Sequence, residues 1–107
     1  AAQQFEESPL AVAVIEVQKP SDRIPGLEMT YSAGAAALSL LNAALAAGWG
    51  ANWLTGWVAH DRAFAEAALG LAENERVAGF IHIGTESATP PERPRPDLDG
   101  IVTWLSE

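Results

Sequence analysis

The chain has 107 residues, of which 49% are apolar, and carries a formal net charge of −8 from 14 acidic and 6 basic side chains. One lysine and five arginines give no clustered positive surface, so the sequence excludes a nucleic-acid or anionic-membrane binder. There is no cysteine, which removes disulfides, thiolate metal sites and cysteine nucleophiles.

The start, Ala1 to Ser8, is polar and acidic, unlike a secretory leader. Leu10 to Val17 (LAVAVIEV) follows Pro9 as a near-continuous apolar run with β-branched residues, which predicts a strand buried on both faces. Gln18 to Gly26 is a loop broken by Pro20 and Pro25. From Leu27 to about Ala47 the pattern turns helical, with Leu27, Tyr31, Leu38, Leu41 and Leu45 among small residues such as Ala33, Gly34 and Ala35. Its most apolar stretch, Ala33 to Ala47, is shorter than the roughly 20 residues of a membrane span, so it reads as a buried helix. A helix apolar or small nearly all round needs cover on every side. A chain this short has little mass to supply it, which points to an oligomer or a further segment.

Gly48 and Gly50 end that helix, and Ala51 to Trp57 (ANWLTGW) is a short extended segment or loop. Asp61 can cap a helix running to Leu69, which Gly70 can stop. Glu73 to Arg76 reads as a polar turn, and Val77 to Thr85 (VAGFIHIGT) as a second strand, apolar except at His82. Glu86 to Asp97 holds four prolines and is irregular; Ile101 to Leu105 (IVTWL) is strand-like and wants a sheet edge, on a partner subunit for example. This order is α/β or α+β, and two or three strands alone do not make a stable sheet.

No Walker loop, GxGxxG or GxSxG elbow is present. Gly48, Gly50 and Gly56 lack the lysine and the following helix of a phosphate loop. His60 and His82 sit on different elements with no carboxylate at ligand spacing, so they read as a loop residue and a core residue rather than metal ligands. Trp49, Trp53 and Trp57 are either core or the wall of a pocket for a flat ring. Arg93 and Arg95 are either a solvated tail or an anion clamp.

Three segments taken together carry a resemblance: Tyr31-Ser-Ala-Gly34, Gly50-Ala-Asn-Trp-Leu-Thr-Gly56 and Ala78-Gly-Phe-Ile-His-Ile-Gly-Thr85. In order and spacing, from Pro9 through the tail, they resemble the C-terminal half of the nitroreductase family, so that residues 1–107 would be part of one domain. The resemblance implies an α+β, nitroreductase-like fold with a mixed or antiparallel sheet flanked by helices and a long interface helix. It also implies a cytoplasmic homodimer with FMN at the subunit interface and no membrane or nucleic-acid partner. By position it makes Trp53, Leu54 and Thr55 the segment lining the isoalloxazine ring, with Gly84 and Thr85 near the flavin phosphate and Arg93 or Arg95 as its basic partner. The implied reaction moves a hydride from NADH or NADPH through the flavin to a nitroaromatic, quinone or similar acceptor, with no catalytic side chain of the protein's own. The arginine-rich helix and the asparagine- and proline-containing segment that open family members are not in this sequence. The alternative reading is a non-catalytic binding or dimerisation module that has lost the flavin; a third keeps the flavin and changes the reaction to dehalogenation or flavin fragmentation.

Overall fold

A computed structural model describes residues 3–106; Ala1, Ala2 and Glu107, which the expected domain includes, lie outside the described residues. The elements run α1 (Gln3–Glu7), β1 (Leu10–Val17), α2 (Gly26–Ala46), β2 (Gly50–Leu54), α3 (Trp57–His60), α4 (Arg62–Leu69), β3 (Glu75–Gly84) and α5 (Leu98–Ile101). The fold is α+β, and the three strands form one antiparallel sheet in the order β1-β3-β2.

β3 is the centre of this sheet and carries most of its buried surface, because it alone has a strand on either side. Its neighbours Phe80 and Ile81 point to opposite faces, as the two-residue period of a strand requires, and both are buried. On one face Phe80 and Val77 join Val58 and Ala59 of α3 in the main core, with Ala13, Ile15 and Phe64 packed around them. Phe5 of α1 meets the Phe80 ring edge-on at 5.0 Å. On the other face α2 packs across all three strands.

α2 is 21 residues long and is long and apolar enough to cross a membrane by those two measures. It lies with one side against all three strands and leaves most of its surface uncovered. The inward stripe is mostly of small residues: Ala37 and Ala44, two turns apart, are buried, Thr30 and Ala33 are half-buried, and the larger Leu40 is half-buried beside them. The expectation of a helix buried all round is not met, since Tyr31, Leu38 and Leu45 recur at seven-residue spacing on the outside and are each about half exposed or more. Gly48, at φ 94, lets the chain leave the helix while Gly48 and Trp49 donate back to Leu45 and Ala44.

Four further differences from the sequence reading have physical causes. β1 has the expected bounds but is half-buried rather than buried on both faces, because it is an edge strand. The expected turn at Glu73 to Arg76 shrinks, since Glu75 and Arg76 pair with Val17 and Glu16. Gln3–Glu7 is helical, held by the Phe5 contact. Ile101 to Leu105 is not a strand: Asp97 accepts from the Asp99 amide at 3.2 Å and caps a short turn ending at Ile101, after which the chain stays irregular and exposed. By contrast, Asp61 accepts from the Phe64 amide at 2.9 Å and Gly70 stands at φ 67, so α4 starts and stops as its caps predict.

The start of α2 is fastened to the sheet by one polar cluster. Glu16, buried on β1, accepts from Arg76 Nε at 2.8 Å and from Gln18 Nε2 at 2.9 Å. Arg76 also donates to Thr30 Oγ1 at 3.2 Å, and Gln18 to the Gly26 carbonyl at 3.0 Å. Burial pushes the Glu16 pKa up, but the hydrogen bonds from Gln18, Arg76 and Thr30, with the charge of Arg76, outweigh it and hold the carboxyl below its ordinary 4.5. A carboxyl depressed in the folded state stabilises it above the unfolded value, and that stability is lost as the pH falls below about 4.5. Glu16→Gln is therefore expected to lower stability at pH 7 by about 2 kcal/mol. It should also flatten the loss of stability on acidification, as read from urea unfolding at a series of pH values.

Candidate functional site

β2 pairs with β3 from Gly50 opposite Gly84 to Leu54 opposite Phe80. The two proposed contact regions therefore lie at opposite ends of one ladder. Trp53, Leu54 and Thr55 stand beside Phe80 and Ile81, and Gly84 and Thr85 lie about 13 Å further along β3, at about 3.3 Å per residue.

An open pocket of about 440 Å³ runs along this ladder. It lies in the size range of small-molecule sites. Asn52, Leu54, His82, Gly84 and Thr85 line it from the sheet, Leu45 from the end of α2, and Glu7 to Pro9 and Glu86 to Pro90 from the flanking segments. Of the seven residues singled out by the family resemblance, the pocket brings together Leu54, Gly84 and Thr85. Trp53 is on the opposite face of the sheet, as its place next to Leu54 in a strand dictates. Thr55 is half-buried where the chain leaves β2. Arg93 and Arg95 stand outside the pocket on the exposed tail, where Arg95 is paired with Glu92.

The glycines at the far end have a packing reason of their own. A Cβ on Gly84 would come within 2.8 Å of Pro9 Cγ, and one on Gly50 within 3.2 Å of the Gly84 carbonyl and of Glu86. The missing side chains thus let Pro9 and the chain after Thr85 close over the end of the sheet. The pocket's charged lining consists of the carboxylates Glu7 and Glu86, with no lysine or arginine among its described lining residues. The Leu54 end offers backbone and apolar surface. A phosphate would depend on guanidinium groups brought in from the tail.

His82, expected in the core, is buried on β3, with its ring 5.6 Å from that of Phe5. Burial pushes its pKa below the ordinary histidine value, so it favours the neutral form. Among the described residues no group of three or more histidines and carboxylates could hold a metal ion. The three neighbouring tryptophans form no common wall. Trp49 lies exposed after α2, Trp57 meets the Phe64 ring at 6.0 Å, and the Trp53 indole crosses to β3. Glu7 to Pro9, which close one side of the pocket, were not singled out in the sequence. Pro9 precedes β1 while Gly84 ends β3 and Thr85 follows it, so no local pattern in the sequence brings them together.

No family model matches the chain. In structure it is similar to a nitroreductase-like family protein from Bacillus cereus, with a TM-score of 0.81 and 22% identity, over 97% of this chain and 55% of that one. The fold is therefore nitroreductase-like. In sequence it is 31% identical over 78 residues to the protein provisionally named NAD(P)H nitroreductase YdjA from Escherichia coli K12, and equally to that from E. coli O157:H7. The match takes in 73% of this chain and 42% of those proteins. The chain is thus similar to nitroreductase-family proteins in sequence and in fold, and it spans less than half the length of these curated relatives.

Gly84→Ala is expected to destabilise the protein by about 1–3 kcal/mol through the clash with Pro9, and Pro9→Ala in the same chain should recover part of the loss. Thermal unfolding of the two single variants and the double variant measures this.

Proposed function

We propose that the chain is part of an FMN-dependent oxidoreductase. When bound, FMN supplies the redox chemistry, taking a hydride from NADH or NADPH and passing reducing equivalents to a nitroaromatic, quinone or similar acceptor. The single observation carrying this reading is the arrangement of the two family segments. Trp53 and Leu54 stand at one end of the β2–β3 ladder and Gly84 at the other, with Thr55 and Thr85 just beyond those ends, and Leu54, Gly84 and Thr85 line one pocket in a nitroreductase-like fold.

In this reading the chain's residues bind and orient. Leu54 offers apolar contact to the ring, and the backbone groups of Trp53 to Thr55 with the Thr55 hydroxyl supply polar contacts. Gly84 and Thr85 present the end of β3 toward the phosphate. Arg93 or Arg95 supplies the positive charge that the pocket lining lacks. No acid–base side chain is required of this chain, since the cofactor carries the chemistry. The partner is a second copy of the chain, a reading supported by the exposed stripe of Tyr31, Leu38 and Leu45 on α2. The cytoplasm is the compartment proposed. A flavin-free dimerisation module is the second reading; the carboxylate lining of the pocket favours it.

The visible spectrum of the purified full-length protein decides between the two. A yellow protein bleached by NADPH or NADH and reoxidised by a quinone is expected. A colourless protein that takes up no FMN in excess refutes the oxidoreductase. Thr55→Ala, and Arg93→Ala combined with Arg95→Ala, should each raise the FMN dissociation constant by about tenfold, the loss of one or two polar contacts. Unchanged constants in both would remove these residues from the site. Leu38→Glu should shift light-scattering mass toward monomer, by placing a charge in the apolar stripe.

A further inference from the structure

The ladder between β2 and β3 ends at Leu54 opposite Phe80, yet β3 continues back through Gly79 and Ala78 toward Glu75. At this point β2 leaves the sheet. Gly56, at φ 75, turns the chain into α3, and the paired register with β3 stops at Leu54. The indole of Trp53 takes the place of the next strand residue. Its Nε1 donates to the Ala78 carbonyl at 3.3 Å. Its ring lies over Gly79 so closely that a Cβ there would meet Nε1 at 2.0 Å, Cδ1 at 2.5 Å and Cε2 at 2.9 Å. Three atoms of a rigid ring fill the space that any other residue's side chain would need, and Gly79 is itself buried.

The partner side of β3 is irregular at the same two residues. Val14 of β1 pairs with Gly79 and Ile15 with Val77, so Ala78 is the extra residue of a bulge. The indole hydrogen bond is made to that bulged residue. Ring-over-glycine packing and a bulge-directed hydrogen bond together fix Trp53 one residue before the end of the ladder at Leu54.

We infer that Gly79 is a positioning residue for the proposed flavin site, acting through the Trp53 indole to set where the Trp53–Thr55 backbone leaves the sheet. This rests on the reading that this segment lines the isoalloxazine ring. Gly79 touches no ligand itself. Its role is the absence of a side chain, which lets the indole lie down and hold the departing segment against β3.

The test is a double-substitution cycle in the full-length protein, with Gly79→Ala, Trp53→Ala and the pair together. The readouts are the FMN dissociation constant and the visible circular dichroism of bound flavin, which reports the groups around the ring. Gly79→Ala is expected to weaken FMN binding by about tenfold, as an overpacked site does, and to alter the visible dichroism. In the Trp53→Ala background the same glycine substitution should have little further effect, because the ring it displaces is gone. Wild-type affinity and dichroism in Gly79→Ala would overturn the inference. So would an equal loss with and without the indole. Should Gly79→Ala fail to fold by far-ultraviolet dichroism, Trp53→Phe carries the test. It keeps an aromatic ring but cannot donate to Ala78, and an unchanged flavin dichroism in that variant overturns the inference. If the wild-type protein takes up no FMN, the flavin reading itself fails and this inference with it. That outcome is distinct from a wild type that binds and a Gly79→Ala that binds equally well.

Discussion

Phe80 and Ile81 are adjacent on β3, face opposite ways, and are both buried. A strand that is apolar on both sides has to be covered on both sides and paired along both edges. β1 and β2 supply the pairing, α2 covers one face, and α1, α3 and α4 cover the other. The remaining architecture follows from this requirement. The small side chains of Ala37 and Ala44 let α2 lie close to the sheet, and the polar cluster of Glu16, Arg76, Gln18 and Thr30 fixes where it begins. The pocket forms where the cover ends, at the Gly50–Gly84 end of the ladder.

The chain meets these demands with little material to spare. Its radius of gyration is 16.9 Å, against about 13 Å for a compact domain of this length. The difference lies in what is left uncovered: the outer stripe of α2 and the tail, where Trp104 and Leu105 are almost fully exposed.

What the sequence disclosed was local. The near-continuous apolar run of β1 announces its bounds, and Asp61 and Gly70 mark the ends of α4 because caps act within a turn. How deeply β1 is buried depends on strand order, which is set by pairing between residues some 60 positions apart and leaves no trace in an eight-residue run. Ile101 to Leu105 has strand composition, but composition is a weak guide where no edge is within reach, and the Asp97 cap decides instead. Of the candidate site, the segments and their order were legible from their family likeness. That Leu54 faces the pocket while Trp53 faces away follows from the strand period once β2 is known to be a strand. The closeness of Trp53 to Gly79 was not legible, because it depends on the register of two strands more than twenty residues apart.

The four prolines between Glu86 and Asp97 have a mechanical consequence. Each fixes one backbone angle, so the segment acts less as a loose string than as a semi-rigid spar, reaching at most about 37 Å at roughly 3.1 Å per residue. The apolar residues from Leu98 to Leu105 sit at its tip. A flexible leash would lose much freedom when its end docked. A stiff one has given up that freedom already in the free chain, so capture of the tip by another surface incurs a smaller entropic penalty.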